Sequence, residues 1–177
     1  IACAAKLCYS DSDIKTLLEG LTKDNVDKFV EKLISLGHES PLEHVCFTFG
    51  IEGVSRALLA QLTRHRIASY SVKSQRYVKV DREKFEYITP KSIEQDPALK
   101  IRYENVMKKS VDDYNFFADA LEKRYTYEGI NKTLAEKKAI EDARYVLPNA
   151  TETKLIVTMN TRALLNFFKE RCCNRAQ

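Results

Sequence analysis

The feature that most restricts the fold is a long helical pattern in the second half of the chain. Asp96 and Pro97 provide a helix cap followed by proline at the first helical position. Apolar residues then recur at helical spacing as far as Arg124, and we expect these to face a core: Met107, Val111, Tyr114, Ala118 and Leu121. Such a helix is about 40 Å long at about 1.5 Å per residue. The chain has only 5 Gly and 4 Pro, which argues against a turn-rich all-β sandwich.

Shorter patterns indicate that the chain contains β-strands as well as further helices. Alternation over residues 45–52 predicts a strand with one apolar face, and the β-branched residues of 151–159 predict another. Residues 76–80 and 85–89 also resemble strands, whereas 64–75 has neither period and is predicted to be a loop. Further helices are predicted over 1–9, from Thr22 or Asp24 to Leu36, over 55–63, from Thr133 to about 147, and from Thr161. We therefore expect an α+β fold, a few-stranded sheet covered by long helices, in a single domain over residues 1–177 that is trimmed at both ends.

Positive charge is concentrated in one segment. The chain carries a net charge of +4, yet residues 54–80 contain no Asp or Glu and hold six cations, which leaves the other 150 residues at −2. The six are Arg56, Arg64, Arg66, Lys73, Arg76 and Lys79. A local cationic segment on a nearly neutral body favours one anionic ligand over a general polyanion surface.

Within that segment, residues 63–77 form the strongest chemical pattern. Arginine side chains match phosphate oxygens in pairs, and serine hydroxyls and loop N–H groups add further donors. Two alternatives remain at this point. The segment could be a solvated basic loop, or it could bind single-stranded nucleic acid with Tyr70 and Tyr77 as stacking platforms. A sequence pI of 8.7, below the value of about 9 typical of nucleic-acid-binding domains, argues against the second alternative.

Two other patterns are weaker alone. Residues 37–44 contain two His and two Glu, but Pro41 interrupts the helical spacing that a zinc motif needs, so a polar turn is favoured and no metal is expected. Asn160 is a helix cap, and Arg162 and Asn166 share one face of the helix that follows. Five cysteines without a C-x-x-C pair indicate a reducing, cytoplasmic location, with Cys172 and Cys173 as ordinary thiols, and no apolar run is long enough to span a membrane.

These blocks together resemble the flavin-dependent thymidylate synthases. The carrying motifs are Arg64-His65-Arg66, then seven residues and Ser74-Gln75-Arg76-Tyr77, the His38-Glu39-Ser40-Pro41 turn, Arg144-x-Val146-Leu147-Pro148, and Asn160-Thr161-Arg162 through Asn166 to Arg171. They occur in the family's order and cover most of residues 38–171. The resemblance implies the family's fold and the methylation of dUMP to dTMP. It implies 5,10-methylenetetrahydrofolate as carbon donor, reduced FAD as hydride source, NADPH as its reductant, and a homotetramer with active sites at subunit interfaces.

The resemblance also assigns residues. It places FAD against His38, Ser40, Arg64, His65, Arg66, Val72, Asn160, Thr161, Arg162 and Asn166. It places the nucleotide against Gln61, Leu62, Thr63, Arg64, Lys73, Ser74, Gln75, Arg76, Arg144 and Arg171. Arg171 matches the arginine that polarises the pyrimidine, so it is the expected catalytic residue. Family members often have Asn-Glu where Ser71-Val72 stands, so only backbone contacts are expected of Val72.

Overall fold

The computed structural model describes residues 1–172 and confirms the α+β class. The helices of this range are α1 (Ala2–Leu7), α2 (Ile14–Glu19), α3 (Lys23–Ser35), α4 (Arg56–Leu62), α5 (Lys91–Glu94), α6 (Pro97–Tyr127), α7 (Lys132–Ala143) and α8 (Thr161–Arg171). Short 3-10 helices occupy Ser40–His44 and Arg144–Val146. The strands are β1 (Cys46–Ser55), β2 (Ser69–Val72) and β3 (Glu152–Asn160), which form an antiparallel sheet in the order β1-β3-β2.

The chain divides into two compact units. Unit 1 comprises residues 1–49, 65–70 and 157 onward, and unit 2 comprises residues 50–64 and 71–156. No helix of residues 1–172 is both long enough and apolar enough to cross a membrane.

Unit 1 is built from short helices packed against the 3-10 helix Ser40–His44. Helix α1 contacts α2, α3 and this 3-10 helix, which in turn contacts α8. Thr22 caps α3 in a capping box with Asn25, as the sequence predicts for one of its two candidate caps. Gly37 ends this region in the left-handed conformation, with φ +71°, and so turns the chain toward His38. Leu33 and Leu42 are buried on the two sides of that turn.

Unit 2 is centred on the long helix that the sequence predicts. Asp96 caps α6 by accepting hydrogen bonds from the N–H groups of Ala98 and Leu99, and the helix runs 31 residues. It buries four of the five predicted core residues, Met107, Val111, Tyr114 and Ala118, while Leu121 is half-buried. Helix α7 packs along α6, so that Ile140 and Ala143 join Tyr114 and Ala118 in one apolar cluster.

Some predicted elements are wrong. Residues 76–80 are a turn rather than a strand, and 85–89 contribute only one bridge, between Tyr87 and Thr151. The Val80 N–H donates to the Tyr114 hydroxyl at 3.1 Å instead of to a strand, whereas the Ile88 N–H donates to the Ala150 carbonyl at 2.9 Å beside that bridge. Conversely, part of the predicted loop 64–75 is strand β2. Helix α7 is capped by Asn131, two residues before the predicted Thr133 cap.

Candidate active site

In unit 1, the start of α8 is fixed by the residues that the sequence singles out. The Asn160 side chain accepts a hydrogen bond from the Ala163 N–H at 2.8 Å, which caps the helix as predicted. The Thr161 N–H donates to the Val45 carbonyl at 2.8 Å, and the Thr161 hydroxyl donates to the same oxygen at 3.2 Å. The first turn of α8 is therefore held against the end of the 3-10 helix Ser40–His44.

Arg162 reinforces the same junction through two carboxylates. Its Nε lies 3.3 Å from Glu39 Oε2, and its Nη1 lies 2.5 Å from Glu43 Oε1. These hydrogen bonds, chiefly the one to Glu43, raise the pKa of the Arg162 guanidinium. Sequence reasoning assigned Arg162 to the cofactor but did not identify its two glutamate partners, which lie in the turn that it had considered for metal.

The other end of α8 carries Arg171, the expected catalytic residue, and here the structure brings together two predicted site residues. Arg171 Nε donates a hydrogen bond to His65 Nε2 at 3.2 Å. The imidazole also meets the edge of Phe167 at a centroid distance of 5.0 Å, and the Tyr70 hydroxyl donates to the His65 carbonyl at 2.9 Å. Both the ring and the backbone of His65 are thus positioned.

The remaining unit 1 residues of the predicted cofactor set are open to solvent. His38, Ser40, Arg66 and Asn166 are all exposed. Within residues 1–172, the side chains of Arg66 and Asn166 have no hydrogen-bond or ion-pair partner. We call the predicted site residues of unit 1 the α8 cluster. They are His38, Ser40, His65, Arg66, Asn160, Thr161, Arg162, Asn166 and Arg171. The α8 cluster combines cations with neutral donors on one unit of the chain.

Unit 2 holds the predicted nucleotide residues other than Arg171. Gln61, Thr63 and Arg64 lie at the end of α4 and just beyond it, with the Thr63 hydroxyl donating to the Leu59 carbonyl at 3.0 Å. Leu62 differs from them because its side chain is buried. Arg64 and Val72, which the sequence assigns to the cofactor, also belong to unit 2.

The segment after β2 is shaped by local hydrogen bonds. The Lys73 N–H donates to the Lys154 carbonyl of β3 at 3.0 Å, and the Ser74 hydroxyl accepts from the Arg76 N–H at 3.1 Å. Arg76 makes two contacts with the Glu141 carboxylate, at 2.8 and 3.3 Å. Arg144 donates from Nε to the Glu141 carbonyl at 3.1 Å. One turn of α7 therefore positions two of the predicted substrate arginines.

A polar cavity of about 200 Å³ lies beside this segment in unit 2. Lys73, Ser74 and Gln75, three of the predicted nucleotide residues, line it. Arg56 and Thr153 line it too, and the sequence analysis assigned neither residue to a site. Arg56 was counted among the six cations of the acid-free segment, and that charge count was the only signal that could have found it. Thr153 has no local sequence signal, because its position depends on the sheet.

The positions of the His, Cys, Asp and Glu side chains bear on metal binding and on the state of the cysteines. Within residues 1–172, no three His, Cys, Asp or Glu side chains come together as a metal site would require. Cys3, Cys8, Cys46 and Cys172 are free thiols, whereas Cys173 lies outside the described residues.

Comparison with known proteins identifies the family. The family model described as "Thymidylate synthase complementing protein" matches residues 1–177. The chain is 54% identical to a flavin-dependent thymidylate synthase of Clostridium tetani over 177 residues, which is all of this chain and 70% of that protein. Proteins with the same name match over the whole chain at 46% identity in Geobacter sulfurreducens and 40% in Pyrococcus furiosus, with 69% and 67% of those proteins covered. The chain belongs to the thymidylate synthase complementing protein family.

The family and enzyme class expected from the motifs are therefore confirmed, and these comparisons give no support to the nucleic-acid-binding alternative. The relatives' name also supports a flavin as the cofactor.

Proposed function

We propose that this chain catalyses the reductive methylation of dUMP to dTMP, with FAD as the flavin, NADPH as its reductant and 5,10-methylenetetrahydrofolate as the carbon donor. The family membership supports the reaction class. The observation that carries the assignment to residues is the polar cavity of unit 2, because three of the predicted nucleotide residues, Lys73, Ser74 and Gln75, line it together. We infer that residues 1–177 are one catalytic domain.

The α8 cluster fits the chemistry of a flavin dinucleotide. Arg66 and Asn166 are exposed donors without a partner in residues 1–172, and a dinucleotide presents pyrophosphate oxygens and hydroxyls that need such donors. We assign FAD contacts to the unit 1 residues His38, Ser40, His65, Arg66, Asn160, Thr161, Arg162 and Asn166 and, separately, to Arg64 and the backbone of Val72 in unit 2. When bound and reduced, the flavin supplies hydride, which removes the need for an activated cysteine or serine nucleophile.

Arg171 acts on the pyrimidine in this proposal. Its guanidinium stabilises negative charge that develops on the ring, and a preorganised cation does this without reorganising during the reaction. The hydrogen bond to His65 uses only Nε, so both terminal nitrogens stay available. Ser74 positions the substrate, with Gln61, Leu62, Thr63, Arg64, Lys73, Gln75, Arg76 and Arg144 completing the nucleotide set.

We also propose a homotetramer with active sites at subunit interfaces, working in the cytoplasm. Several large apolar side chains support self-association, since Phe47 and Phe49 of β1 are 45% and 40% exposed and Phe116 of α6 is 68% exposed. Free thiols at Cys3, Cys8, Cys46 and Cys172 are consistent with a reducing compartment.

One experiment tests the reaction directly. The purified protein is loaded with FAD, reduced by NADPH without oxygen, and supplied with dUMP and methylenetetrahydrofolate. We expect dTMP to appear with one flavin oxidised per product formed. Flavin reoxidation without dTMP would contradict the proposal, and so would dTMP formation by protein that holds no flavin.

A further inference from the structure

The polar cavity of unit 2 contains two buried polar atoms without partners. Thr153 is 1% exposed, and its hydroxyl has no hydrogen-bond partner in the described residues. The Nε2 amide of Gln75 is also fully shielded and lacks a partner in the same range. A buried polar group without a hydrogen bond costs free energy, and native proteins rarely leave one unmade. Both residues belong to the lining of the same cavity, so these are unpaired polar groups of the cavity wall.

The charges around this cavity favour an anion. Arg56 is half-buried and has no carboxylate partner within residues 1–172. The backbone N–H of Arg56 donates to the Thr151 carbonyl at 3.1 Å, which fixes the backbone of Arg56 beside β3. Burial, and secondarily the positive charge of Arg144, lower the pKa of the Arg56 guanidinium. The guanidinium groups of Arg56 and Arg144 therefore repel each other, and no carboxylate of residues 1–172 pairs with Arg56.

Acidic residues also line the cavity. Asp81 lies 4.0 Å from Lys84 Nζ, and Lys79 is paired with Asp119 at 2.9 Å.

Two carboxylates of the lining have no ion pair in the described residues. Glu152 accepts a hydrogen bond from the Gly53 N–H at 3.1 Å, which leaves its charge in place, and Glu86 also has no cationic partner there. These two charges offset those of Arg56 and Lys73, so the local positive excess comes from Arg144, which has no ion pair within residues 1–172 and acts on Arg56.

We propose that Arg56 and Thr153 belong to the nucleotide site, where Arg56 acts with Arg144 on the phosphate of the substrate and the Thr153 hydroxyl hydrogen-bonds to the same ligand. This inference rests on the proposed function, since it takes a nucleoside monophosphate as the ligand. It makes Arg56 a determinant of specificity for the phosphorylated over the unphosphorylated nucleoside, because a guanidinium pairs with phosphate and gains little from a neutral sugar.

The test compares dUMP with deoxyuridine. Calorimetric titrations use the FAD-loaded protein as wild type, Arg56→Gln and Thr153→Val. We expect Arg56→Gln to weaken dUMP binding about tenfold or more, as loss of a hydrogen bond to a charged group does, and to leave deoxyuridine binding unchanged. Arg82→Gln is the matched control, because Arg82 is an exposed arginine of the same unit paired with Asp112. Unchanged dUMP binding by Arg56→Gln, or an equal loss for both ligands, would overturn the proposal.

Thr153→Val gives an independent signature. Replacing an unpaired buried hydroxyl with a methyl group of similar size removes an unsatisfied polar atom, so the ligand-free variant should melt at a higher temperature than wild type. The same change should weaken dUMP binding about two- to tenfold, and Thr153→Ser should restore it. A lower melting temperature together with unaltered dUMP binding would show that the hydroxyl serves only the fold.

Titration with inorganic phosphate distinguishes a failure of the proposed function from a failure of the role given to Arg56. If wild-type protein binds neither dUMP nor deoxyuridine, the proposed function fails, and titration with phosphate still examines the cavity. Phosphate binding that is lost in Arg56→Gln and kept in Arg82→Gln would support an anion site for a different substrate. Phosphate binding that is equal in all three proteins would reject Arg56 as an anion ligand.

Discussion

Two arginines of the α8 cluster and one of the polar cavity are held differently. In unit 1, Arg162 is held by the carboxylates of Glu39 and Glu43, and Arg171 donates to His65. In unit 2, Arg56 is half-buried with no carboxylate partner in the described residues. Arg162 and Arg171 therefore have their geometry set by neighbouring side chains, whereas Arg56 is a cation without an ion pair in the described residues. Partner-held arginines are preorganised for orientation, and an unpaired, desolvated arginine is suited to binding an anion.

Arg171→Ala is the change with the largest expected effect on this comparison. Loss of one preorganised donor typically lowers turnover by about 10²–10³-fold, and we expect that loss in dTMP formation by FAD-loaded enzyme. Thermal melting should change little, because Arg171 is at the end of α8 and, within residues 1–172, its side chain bonds only to His65. Lys169→Ala, an exposed change on the same helix, is the control. Full activity in Arg171→Ala would remove this residue from the mechanism.

His65→Leu sharpens the same point by removing the group that orients Arg171. A hydrogen bond to a charged group contributes about 1.5–3 kcal/mol, so turnover at saturating FAD and dUMP should fall about ten- to hundredfold. His65→Gln keeps a neutral acceptor and should retain most of the turnover. Rates are compared at equal flavin content, so a cofactor defect is scored separately. Equal losses in the two variants would mean that Arg171 does not depend on the acceptor.

Tyr114→Phe tests whether unit 2 fixes its substrate segment through the core. Tyr114 is fully buried, and its oxygen accepts from the Val80 N–H, a few residues after Ser74 and Gln75. Leaving that N–H without a partner should lower the free energy of unfolding by about 1–3 kcal/mol, measured by urea denaturation. Binding of dUMP should weaken while flavin content stays constant. Tyr103→Phe, which removes a hydroxyl donor to the Ile88 carbonyl, is the matched control for stability without the nucleotide effect.

Glu43→Gln has the smallest expected effect. Glu43 and Arg162 are both exposed, and exposed ion pairs stabilise a fold very little, so the free energy of unfolding should stay close to that of the wild type. The substitution removes a negative charge beside Arg162. Because more of the positive charge of Arg162 is then available to an anionic cofactor, the affinity for FAD, measured by fluorescence quenching, should rise by at most about fivefold. Weaker FAD binding would instead show that Glu43 holds Arg162 in the orientation that the cofactor requires.

Much of the fold follows from local sequence signals. Helix α6 is predicted because its cap and its apolar spacing agree over about thirty residues. Strand β2 is missed because four residues carry too little pattern, and their pairing is decided by the sheet. Residues 76–80 have the composition of a strand but form a turn, since the Val80 N–H bonds to the distant Tyr114 hydroxyl rather than to another strand.

Some residues of the candidate site could be predicted from local sequence motifs, and others could not. Arg171, His65 and Ser74 are found through linear motifs, because those motifs keep a fixed order and spacing. Arg56 and Thr153 are 97 residues apart in the chain and share a cavity only after β3 is in place. Glu39 and Glu43 were visible as acids, but their role depends on contact with α8, which the sequence does not encode locally.

The turn before His38 has a consequence for engineering. Gly37 adopts φ +71°, and a Cβ built there meets nothing within 4 Å. A saturation library at this position should therefore rank residues by how well they tolerate the left-handed backbone and not by their bulk. Asparagine and aspartate would survive best, and valine and isoleucine worst, although all of them would fit the open space.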